Sequence, residues 1–542
     1  FENIPLTYYY WGDYQYNHGN LNEAVEQFSY VVQNHPEHPI SRDAALSLAR
    51  AHYRLGEFQA AYQIMEFAEL RWPSYYMENP AILSLMGDVA YRVNNLDKAR
   101  SSYWLYMNIL PEPEDGDIIL TRLGDIYMSG KYHNAAVQVY DEAVKRYPDK
   151  DGGIVALMRL AEDGIYDDPT VNKMYKVFER PHDYRAAEAY RSIIRSYPNS
   201  PLVTLAKLKL AMWNMWQKNY IGAIDLCSEI VADTPNSPLA PRAREVAMGA
   251  FTLLSSEDVN DKRYARAREI WQRYPILRTQ EQFLVPQSRL ALAVSQWNSG
   301  FQDEALNTLQ PFFYGNKIGE ISEMAIYLAL TILTQNLRWE QIVDLAQRVE
   351  LWELTPQAQS QLDYSLALAY ENTDRSDAAA PLWNRLYAQK NLPPQQQADA
   401  AFYFGRSVER GRDMEGAYYV GQDALKQLED MAAVNPDLAD KEKIKTQLLS
   451  LLDISENAGQ IQQAMSYADQ YLKYAEEGSL DQQSVLYRVS RLHRKRGNTA
   501  DWTRMLKELA DKHPDSVYGR MAAAELASHR LDNAAAQFSS GT

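Results

Sequence analysis

A small residue recurs at a nearly constant interval along almost the whole chain of 542 residues, and this repeat limits the possible folds more than any other feature. The interval from Ala24 to Ala61 is 37 residues, and most of the others lie within about two residues of it. The recurring positions are Ala24, Ala61, Ala99, Ala136, Ala186, Ala223, Ala265, Ala305, Ile342, Ala379, Ala417, Ala464 and Ala500. Prolines keep the same phase, each 12 residues after a recurring residue, at Pro36, Pro73, Pro111, Pro148, Pro198 and Pro235. A repeat of this length is typical of stacked supersecondary units that cover one another's apolar sides.

Each repeat contains two segments with the apolar spacing of an amphipathic helix, as the fourth repeat shows. The apolar residues of its first segment are Leu120, Leu123, Ile126 and Tyr127. After a turn at 129–131, those of its second segment are Ala136, Val139, Tyr140, Ala143 and Val144. Because proline cannot continue a helix, we expect the second helix to end before Pro148. The spacing therefore predicts an all-α chain of about thirteen helix–turn–helix units.

The fourth repeat resembles the tetratricopeptide repeat family. The residues that carry the resemblance are Leu123, Gly124, Tyr127, Ala136, Tyr140, Ala143 and Pro148. It extends over nearly the whole chain and weakens after about residue 275, where the prolines become rare. The resemblance implies an α-solenoid of tetratricopeptide-like repeats, wound into a right-handed superhelix, that binds other proteins.

Short segments between repeats are similar to those of the periplasmic branch of this family, namely outer-membrane barrel-assembly lipoproteins and cell-division coordinator proteins. These segments are Tyr-Pro-Asn-Ser-Pro at 197–201, Thr-Pro-Asn-Ser-Pro at 234–238 and His-Pro-Asp-Ser at 513–516. The similarity implies a periplasmic or envelope-associated protein, with the cytoplasm as the alternative. The lipid-bearing cysteine of the lipoproteins has no counterpart in the sequence. Because the sequence opens at Phe1, we expect a processed or trimmed chain.

The spacing divides the chain into four segments. Residues 1–148 hold four regular repeats, residues 149–275 hold repeats with an insert near 164–182, and residues 276–393 hold divergent repeats. Residues 394–542 hold further divergent repeats, a second insert near 430–443, a capping helix at 517–531 and a frayed tail from 534. Inserts in solenoids are often loops on one face that bind partners, and the alternative is a tolerated surface insertion.

The charge balance disfavours two classes of partner. The chain has 55 Lys and Arg against 71 Asp and Glu, a net charge of -16. Phosphate contacts dominate affinity for nucleic acid, so DNA and RNA are poor candidates, as is an anionic membrane surface. No apolar stretch reaches the roughly 18 residues of a membrane-spanning helix. The single cysteine, Cys227, cannot form an internal disulfide and is expected to be a packed thiol.

In this family the first helix of each unit lines the concave face, and the resemblance therefore implies a set of partner-binding residues. These are Tyr9, Asp13, Tyr16, Arg50, Tyr53, Arg54, Asp88, Tyr91, Arg92 and Asp125. Tyrosines beside charged residues are typical of a groove for a peptide. The alternative is that the tyrosines pack between helices. Three carboxylates in this set would repel an acidic tail, so a neutral or basic partner is expected.

No motif for catalysis, a cofactor or a metal is evident. The closest histidine pair, His35 and His38, spans a helix terminator, and no phosphate-binding loop or nucleophile motif is present. We therefore predict a non-enzymatic scaffold or adaptor in a bacterial cell-envelope assembly, where it serves a membrane-protein complex without spanning the membrane itself. The alternatives are a structural subunit of a large periplasmic or motility machine, and the solenoid part of a lytic transglycosylase-like enzyme.

Overall fold

The computed structural model describes residues 3–180, 185–436 and 440–540, and within these residues all regular structure is helical. This confirms the predicted all-α fold of helical hairpins. The chain forms two compact units, the first comprising Phe1–Lys262 and Arg266–Ser288 and the second comprising Arg263–Ala265 and Arg289–Thr542.

The first unit contains seven helical hairpins among the described residues. They are α1 (Ile4–Asn17) with α2 (Leu21–Asn34), α3 (Ile40–Leu55) with α4 (Phe58–Arg71), α5 (Ala81–Arg92) with α6 (Leu96–Ile109), α7 (Gly116–Ser129) with α8 (His133–Arg146), α9 (Asp151–Glu162) with α11 (Ala186–Ser196), α12 (Leu202–Trp216) with α13 (Tyr220–Asp233), and α14 (Ala240–Asn260) with α15 (Tyr264–Arg273). An additional helix, α10 (Val171–Phe178), lies between the two helices of the fifth hairpin, and a short helix, α16 (Pro275–Arg278), follows the seventh.

The second unit contains six hairpins and a closing helix among the described residues. They are α17 (Pro286–Asn298) with α18 (Gln302–Leu309), α19 (Gly319–Gln335) with α20 (Trp339–Arg348), α21 (Pro356–Asn372) with α22 (Ser376–Tyr387), α23 (Pro394–Arg410) with α24 (Met414–Val434), α25 (Lys441–Asn457) with α26 (Ile461–Leu472), α27 (Leu480–Lys495) with α28 (Thr499–Lys512), and the closing helix α29 (Val517–Ser540).

The recurring small residue marks the place where the two helices of a hairpin cross. Eleven of the thirteen predicted positions are buried. The other two, Ala265 and Ala500, are exposed, and the first buried residues of the corresponding helices are Ala267 and Trp502, each three residues after the helix start. The sequence-based register was thus displaced by two residues at these places, because in both helices an alanine stands two residues before the buried position.

Proline ends the second helix in the regular repeats, as predicted. The helices α2, α4, α6, α8, α11 and α13 each stop two residues before the corresponding proline. The residue between helix and proline leaves the helical region in each case, for example His35 at φ -133° and ψ 47° and Tyr147 at φ -131° and ψ 53°. Such a residue cannot adopt helical geometry easily, because its backbone would clash with the proline ring.

The departures from the repeat have a defined structure over most of their length. The first insert forms the helix α10, and Pro181 lies outside the described residues. At the second insert, α24 continues to Val434 instead of giving way to a loop, and residues 437–439 lie outside the described part of the chain. The capping helix α29 reaches Ser540, beyond the predicted end at Leu531, so the expected frayed tail is helical up to that point.

None of the helices in the described part of the chain combines the length and the apolar character that crossing a bilayer requires.

Candidate partner-binding face

The first helices of the hairpins in the first unit form a face that we call the first-helix face. It is built from α1, α3, α5, α7, α9, α12 and α14. Neighbouring members contact one another directly or through side chains, so the surface continues from one repeat to the next. All ten sequence-predicted binding residues lie on its first four helices.

The predicted tyrosines of this face are half-buried. Tyr9, Tyr16, Tyr53 and Tyr91 all pack against the hydrophobic core. Burial raises the pKa of Tyr91, so its hydroxyl stays protonated and can donate a hydrogen bond. These side chains therefore contribute to packing between helices, which was the alternative interpretation, while each keeps part of its ring at the surface. Their role in binding stays a prediction.

The predicted arginines of the face are more accessible. Arg54 and Arg92 are exposed, and Arg50 is half-buried. The guanidinium of Arg54 lies 4.7 Å from the ring centre of Tyr16, and that of Arg92 lies 5.3 Å from the ring centre of Phe58. Stacking on an aromatic ring holds a guanidinium in place without neutralising its charge.

The predicted carboxylates differ in their surroundings. Asp13 is half-buried and accepts a hydrogen bond from Asn17 at 3.1 Å. Asp88 and Asp125, by contrast, are each bound by a tyrosine of the same hairpin and by an arginine of the next. A partner can reach these two carboxylates only in competition with contacts inside the chain.

Asp88 belongs to a cluster that joins the third hairpin to the fourth. The Tyr103 hydroxyl on α6 donates to the Asp88 carboxylate at 2.7 Å, and the Arg122 guanidinium on α7 pairs with the same carboxylate. Arg122 also donates to the Tyr103 oxygen at 3.3 Å. Burial, followed by the charge of Asp88, raises the pKa of Tyr103, so the hydroxyl remains a donor.

The same arrangement recurs between the fourth and fifth hairpins. The Tyr140 hydroxyl donates to Asp125 at 2.6 Å, and the Arg159 Nε donates to the same carboxylate at 3.1 Å. A second nitrogen of Arg159 donates to Asp167, in the first insert, at 2.6 Å. Arg159 is thus shared between a carboxylate of the repeat and one of the insert.

A third cluster joins the fifth hairpin to the sixth. Glu162 accepts a hydrogen bond from the Tyr190 hydroxyl at 2.8 Å, and the Lys209 ammonium contacts both of its oxygens, at 2.7 and 2.9 Å. Burial raises the pKa of the Glu162 carboxyl and lowers that of the Lys209 ammonium, because each charged form loses solvation. The direct contact between the two charges opposes both shifts.

Together the three clusters form a row that we call the polar ladder, and it becomes less exposed toward the insert. The cation and carboxylate side chains are 26% and 24% exposed for Arg122 with Asp88, and 3% and 8% for Arg159 with Asp125. Lys209 and Glu162 are both fully buried. Buried ion pairs strongly penalise the loss of either partner, so the ladder fixes how consecutive hairpins stack.

Sequence reasoning missed the ladder, although a spacing signal exists. In the second cluster the tyrosine follows the acid by 15 residues and the cation follows it by 34. The first cluster has the same two separations, 15 and 34. In the third cluster they are 28 and 47, each longer by the 13 residues of the insert. The pattern is therefore visible only after the insert has been placed.

A related contact occurs in the second unit. The Trp383 indole on α22 donates to Glu371 of α21 at 3.3 Å, and Arg410 of α23 lies 3.9 Å from the same carboxylate. An aromatic donor and a cation from the next hairpin thus again meet a carboxylate of a first helix.

Cys227 is the packed thiol that the sequence predicts. Cys227 is fully buried, and burial raises the pKa of its thiol, which disfavours the nucleophilic thiolate. In the described part of the chain no group of three or more His, Cys, Asp or Glu side chains is placed to hold a metal ion.

The stacked hairpins and their interlocking side chains define the class of this protein, a helical-repeat scaffold. Residues 9–68, which span most of the first two hairpins, match the family model described as tetratricopeptide repeat. This match supports the resemblance to the tetratricopeptide repeat family over residues 9–68. The fold of this family is typically a non-catalytic scaffold that binds other proteins. No curated protein sequence matches the chain.

Solved helical-repeat structures align over much of the chain with low scores. The APC/C hetero-tetramer Cut9-Hcn1 is 13% identical, with 96% of this chain and 98% of that one covered and a TM-score of 0.28. A tetratricopeptide repeat protein from Parabacteroides merdae is 12% identical over 60% of this chain and 99% of that one, with a TM-score of 0.27. Naa15/Naa10 bound to HypK-THB is 11% identical over 98% and 97%, with a TM-score of 0.24. Scores of this size carry no conclusion, and the fold assignment depends on the hairpins themselves.

Proposed function

We propose that the protein is a non-enzymatic scaffold of a bacterial cell-envelope assembly that holds a segment of a partner protein on the first-helix face of its four N-terminal hairpins. The observation that carries this proposal is the composition of that face. Arg54 and Arg92 are exposed beside the half-buried rings of Tyr16, Tyr53 and Tyr91. Tyrosine and arginine are enriched at binding surfaces, because they combine a large contact area with directed polar groups.

The periplasmic location is supported by the sequence between the repeats. The Pro-Asn-Ser-Pro segments at 198–201 and 235–238 resemble those of the periplasmic branch of the family. A single cysteine cannot form a disulfide within the chain. It is therefore compatible with the oxidising periplasm and equally with the cytoplasm. Fractionation of native cells with an antibody against the chain tests the location, and recovery in the cytoplasmic fraction alone would contradict it.

The accessible charges of the face support a partner different from the neutral or basic one predicted from the sequence. A neutral or basic partner was predicted because Asp13, Asp88 and Asp125 lie in one row. Since Asp88 and Asp125 are paired with cations inside the chain, Asp13 is the one of these three acids that would still repel an acidic partner. The accessible charges of the face now favour a partner segment that carries carboxylates.

Site-specific crosslinking is the most direct test of the binding face. A photo-crosslinking amino acid placed at Asn17 or Ser129, the exposed positions of α1 and α7 equivalent to Arg54 and Arg92, samples the first-helix face. One placed at Leu70 or Val137 samples exposed positions of second helices. We expect one discrete crosslinked partner in native cells from the first pair and none from the second. Truncation of the tyrosines is less informative, because they also pack against the core.

Equal crosslinking from both pairs of positions, or crosslinking from the second-helix positions alone, would exclude the first-helix face as the binding surface. The thermal unfolding midpoint of each substituted protein serves as the folding control. Because all four side chains are exposed, we expect unfolding midpoints within a few degrees of that of the original protein.

A further inference from the structure

The first insert of the chain contacts arginines of the first-helix face. Its Asp167 receives a hydrogen bond from Arg159 of α9 at 2.6 Å, and its Asp168 lies 3.5 Å from Arg242 of α14. Both arginines belong to first helices. The two carboxylate side chains remain 71% and 81% exposed, so this part of the insert lies at the surface of the first-helix face, with its acids beside the arginines.

The helix that follows these acids adds apolar contacts to the same face. Met174 and Val177 of α10 are fully buried, and α10 packs against α12. The Phe178 ring lies 5.9 Å from that of Trp216, at the end of α12. The insert therefore contacts the first helices of three consecutive hairpins, with carboxylates on arginines and apolar side chains on an aromatic surface.

The same chemistry is present, without a covering segment, on the second and third hairpins. Arg50, Arg54 and Arg92 have no carboxylate partner among the described residues. Asp13 is the neighbouring acid of the row that no cation neutralises, and it accepts from Asn17. Asp43 of α3 is a second acid without an ion pair among the described residues, and its carboxylate accepts a hydrogen bond from the Tyr75 hydroxyl. Three guanidinium groups and two carboxylates still leave this part of the face with a positive balance, in a chain whose net charge is -16.

We propose that Arg50, Arg54 and Arg92, together with the tyrosine rings beside them, form a site for an acidic segment of a partner protein. The segment carries at least two carboxylates and contacts the arginines as Asp167 and Asp168 contact Arg159 and Arg242. A planar guanidinium can donate two parallel hydrogen bonds to a carboxylate, which gives direction as well as charge to the contact. This inference rests on the proposed scaffold function and adds the chemistry of the partner.

A labelled octapeptide with the sequence of residues 164–171, Gly-Ile-Tyr-Asp-Asp-Pro-Thr-Val, is a suitable probe, because it is the acidic part of the insert. Its binding to the full chain is measured by fluorescence anisotropy, beside a second peptide in which both aspartates are asparagine. We expect the acidic peptide to bind more tightly, and its affinity to fall as salt is raised from about 50 to about 300 mM.

The triple variant R50Q/R54Q/R92Q is expected to weaken this binding at least about tenfold. The control variant R71Q/R100Q/R146Q removes the same charge from second helices of the second, third and fourth hairpins and should bind as the original does. Equal binding by the two triple variants, or by the two peptides, would overturn the site. Tighter binding of a single-stranded oligonucleotide to the same arginines would overturn its assignment to a protein partner.

The two proposals fail in different ways. If crosslinking from the first-helix face persists and the triple variant still binds the acidic peptide normally, the scaffold function stands and the acidic site is wrong. If the peptide distinguishes the two triple variants but no crosslinked partner forms in cells, the site stands and the proposed cellular function is wrong.

Discussion

Tyr103, Tyr140 and Tyr190 occupy equivalent places in three consecutive hairpins, and each donates its hydroxyl to an acid of the first helix of its own hairpin. In the first, second and sixth hairpins the residue at this place is Phe28, Met65 or Cys227, which cannot donate in the same way. The side chain at this one position therefore decides whether the second helix can donate a hydrogen bond to an acid of the first helix.

At the residue scale, the Glu162–Lys209 pair yields a prediction about stability. In E162Q the Lys209 ammonium stays buried without a compensating charge, and we expect a loss of about 3–5 kcal/mol in the free energy of unfolding of the first unit. In E162L/K209M both charges are replaced by apolar groups, so the loss should be smaller. Urea unfolding followed by circular dichroism measures both values. A double variant that is less stable than E162Q would contradict this view of the pair.

At the element scale, close packing of the two helices in a hairpin depends on a glycine facing an aromatic ring. In the fourth hairpin a Cβ added to Gly124 would overlap the Tyr140 ring, and in the third a Cβ on Gly87 would overlap Tyr103. The first hairpin has the same relation between Gly12 and Phe28, where a Cβ would lie 2.8 Å from the ring. The helices can therefore approach closely only without a side chain at this place.

Gly124→Ala is therefore expected to destabilise the first unit by about 1–3 kcal/mol, because the new methyl group forces the Tyr140 ring to move. Gly249→Ala is the matched control. A Cβ there meets only the Met215 sulfur at 3.8 Å, an ordinary contact, so alanine should stabilise the interior of α14 by roughly 0.5–1 kcal/mol. Thermal unfolding of the two variants should shift in opposite directions, and shifts of the same sign would refute the argument.

Another contact between elements predicts a dependence on pH. Glu323 of α19 accepts hydrogen bonds from the Thr355 amide at 2.9 Å and hydroxyl at 2.6 Å, just before α21, and from Lys317 at 2.5 Å. Burial alone would raise the pKa of Glu323, but the hydrogen bonds from Lys317 and Thr355 outweigh it and hold the pKa below its ordinary 4.5.

Because the folded state lowers this pKa, Glu323 contributes stability above pH 4.5 that disappears as the pH falls through the lower, folded-state value. In E323Q this contribution is absent at every pH. We expect the denaturation midpoints of the original chain and E323Q to differ at pH 7 and to converge in acid. A difference that stays constant from pH 7 to about pH 3 would exclude the linkage.

At the scale of the whole molecule, stability in a stacked array is a sum over hairpins and the interfaces between neighbours. The polar ladder concentrates such interfaces between the third and sixth hairpins, all inside the first unit. We expect E162Q to accelerate amide hydrogen exchange in α9, α11 and α12, while exchange in helices α19 to α28 of the second unit stays unchanged. Faster exchange throughout the chain would show global cooperativity instead.

The sequence by itself determined the local structure of this protein. Apolar spacing and the prolines located the helices and the ends of the second helices, because both depend on backbone hydrogen bonds within a few residues. In α15 and α28 the predicted register was displaced by two residues, because Ala265 and Ala500 stand close to the buried positions and the sequence alone does not show which residue faces the core.

Only the tertiary structure decided which side chains meet. Asp88 and Asp125 looked like free acids of a binding groove, but the cations that pair with them lie 34 residues further along, on the next hairpin. The tyrosines looked like a surface row and are half-buried. The charge available to a partner is therefore that of the side chains without an ion pair inside the chain, because the ion pairs between hairpins form when the chain folds.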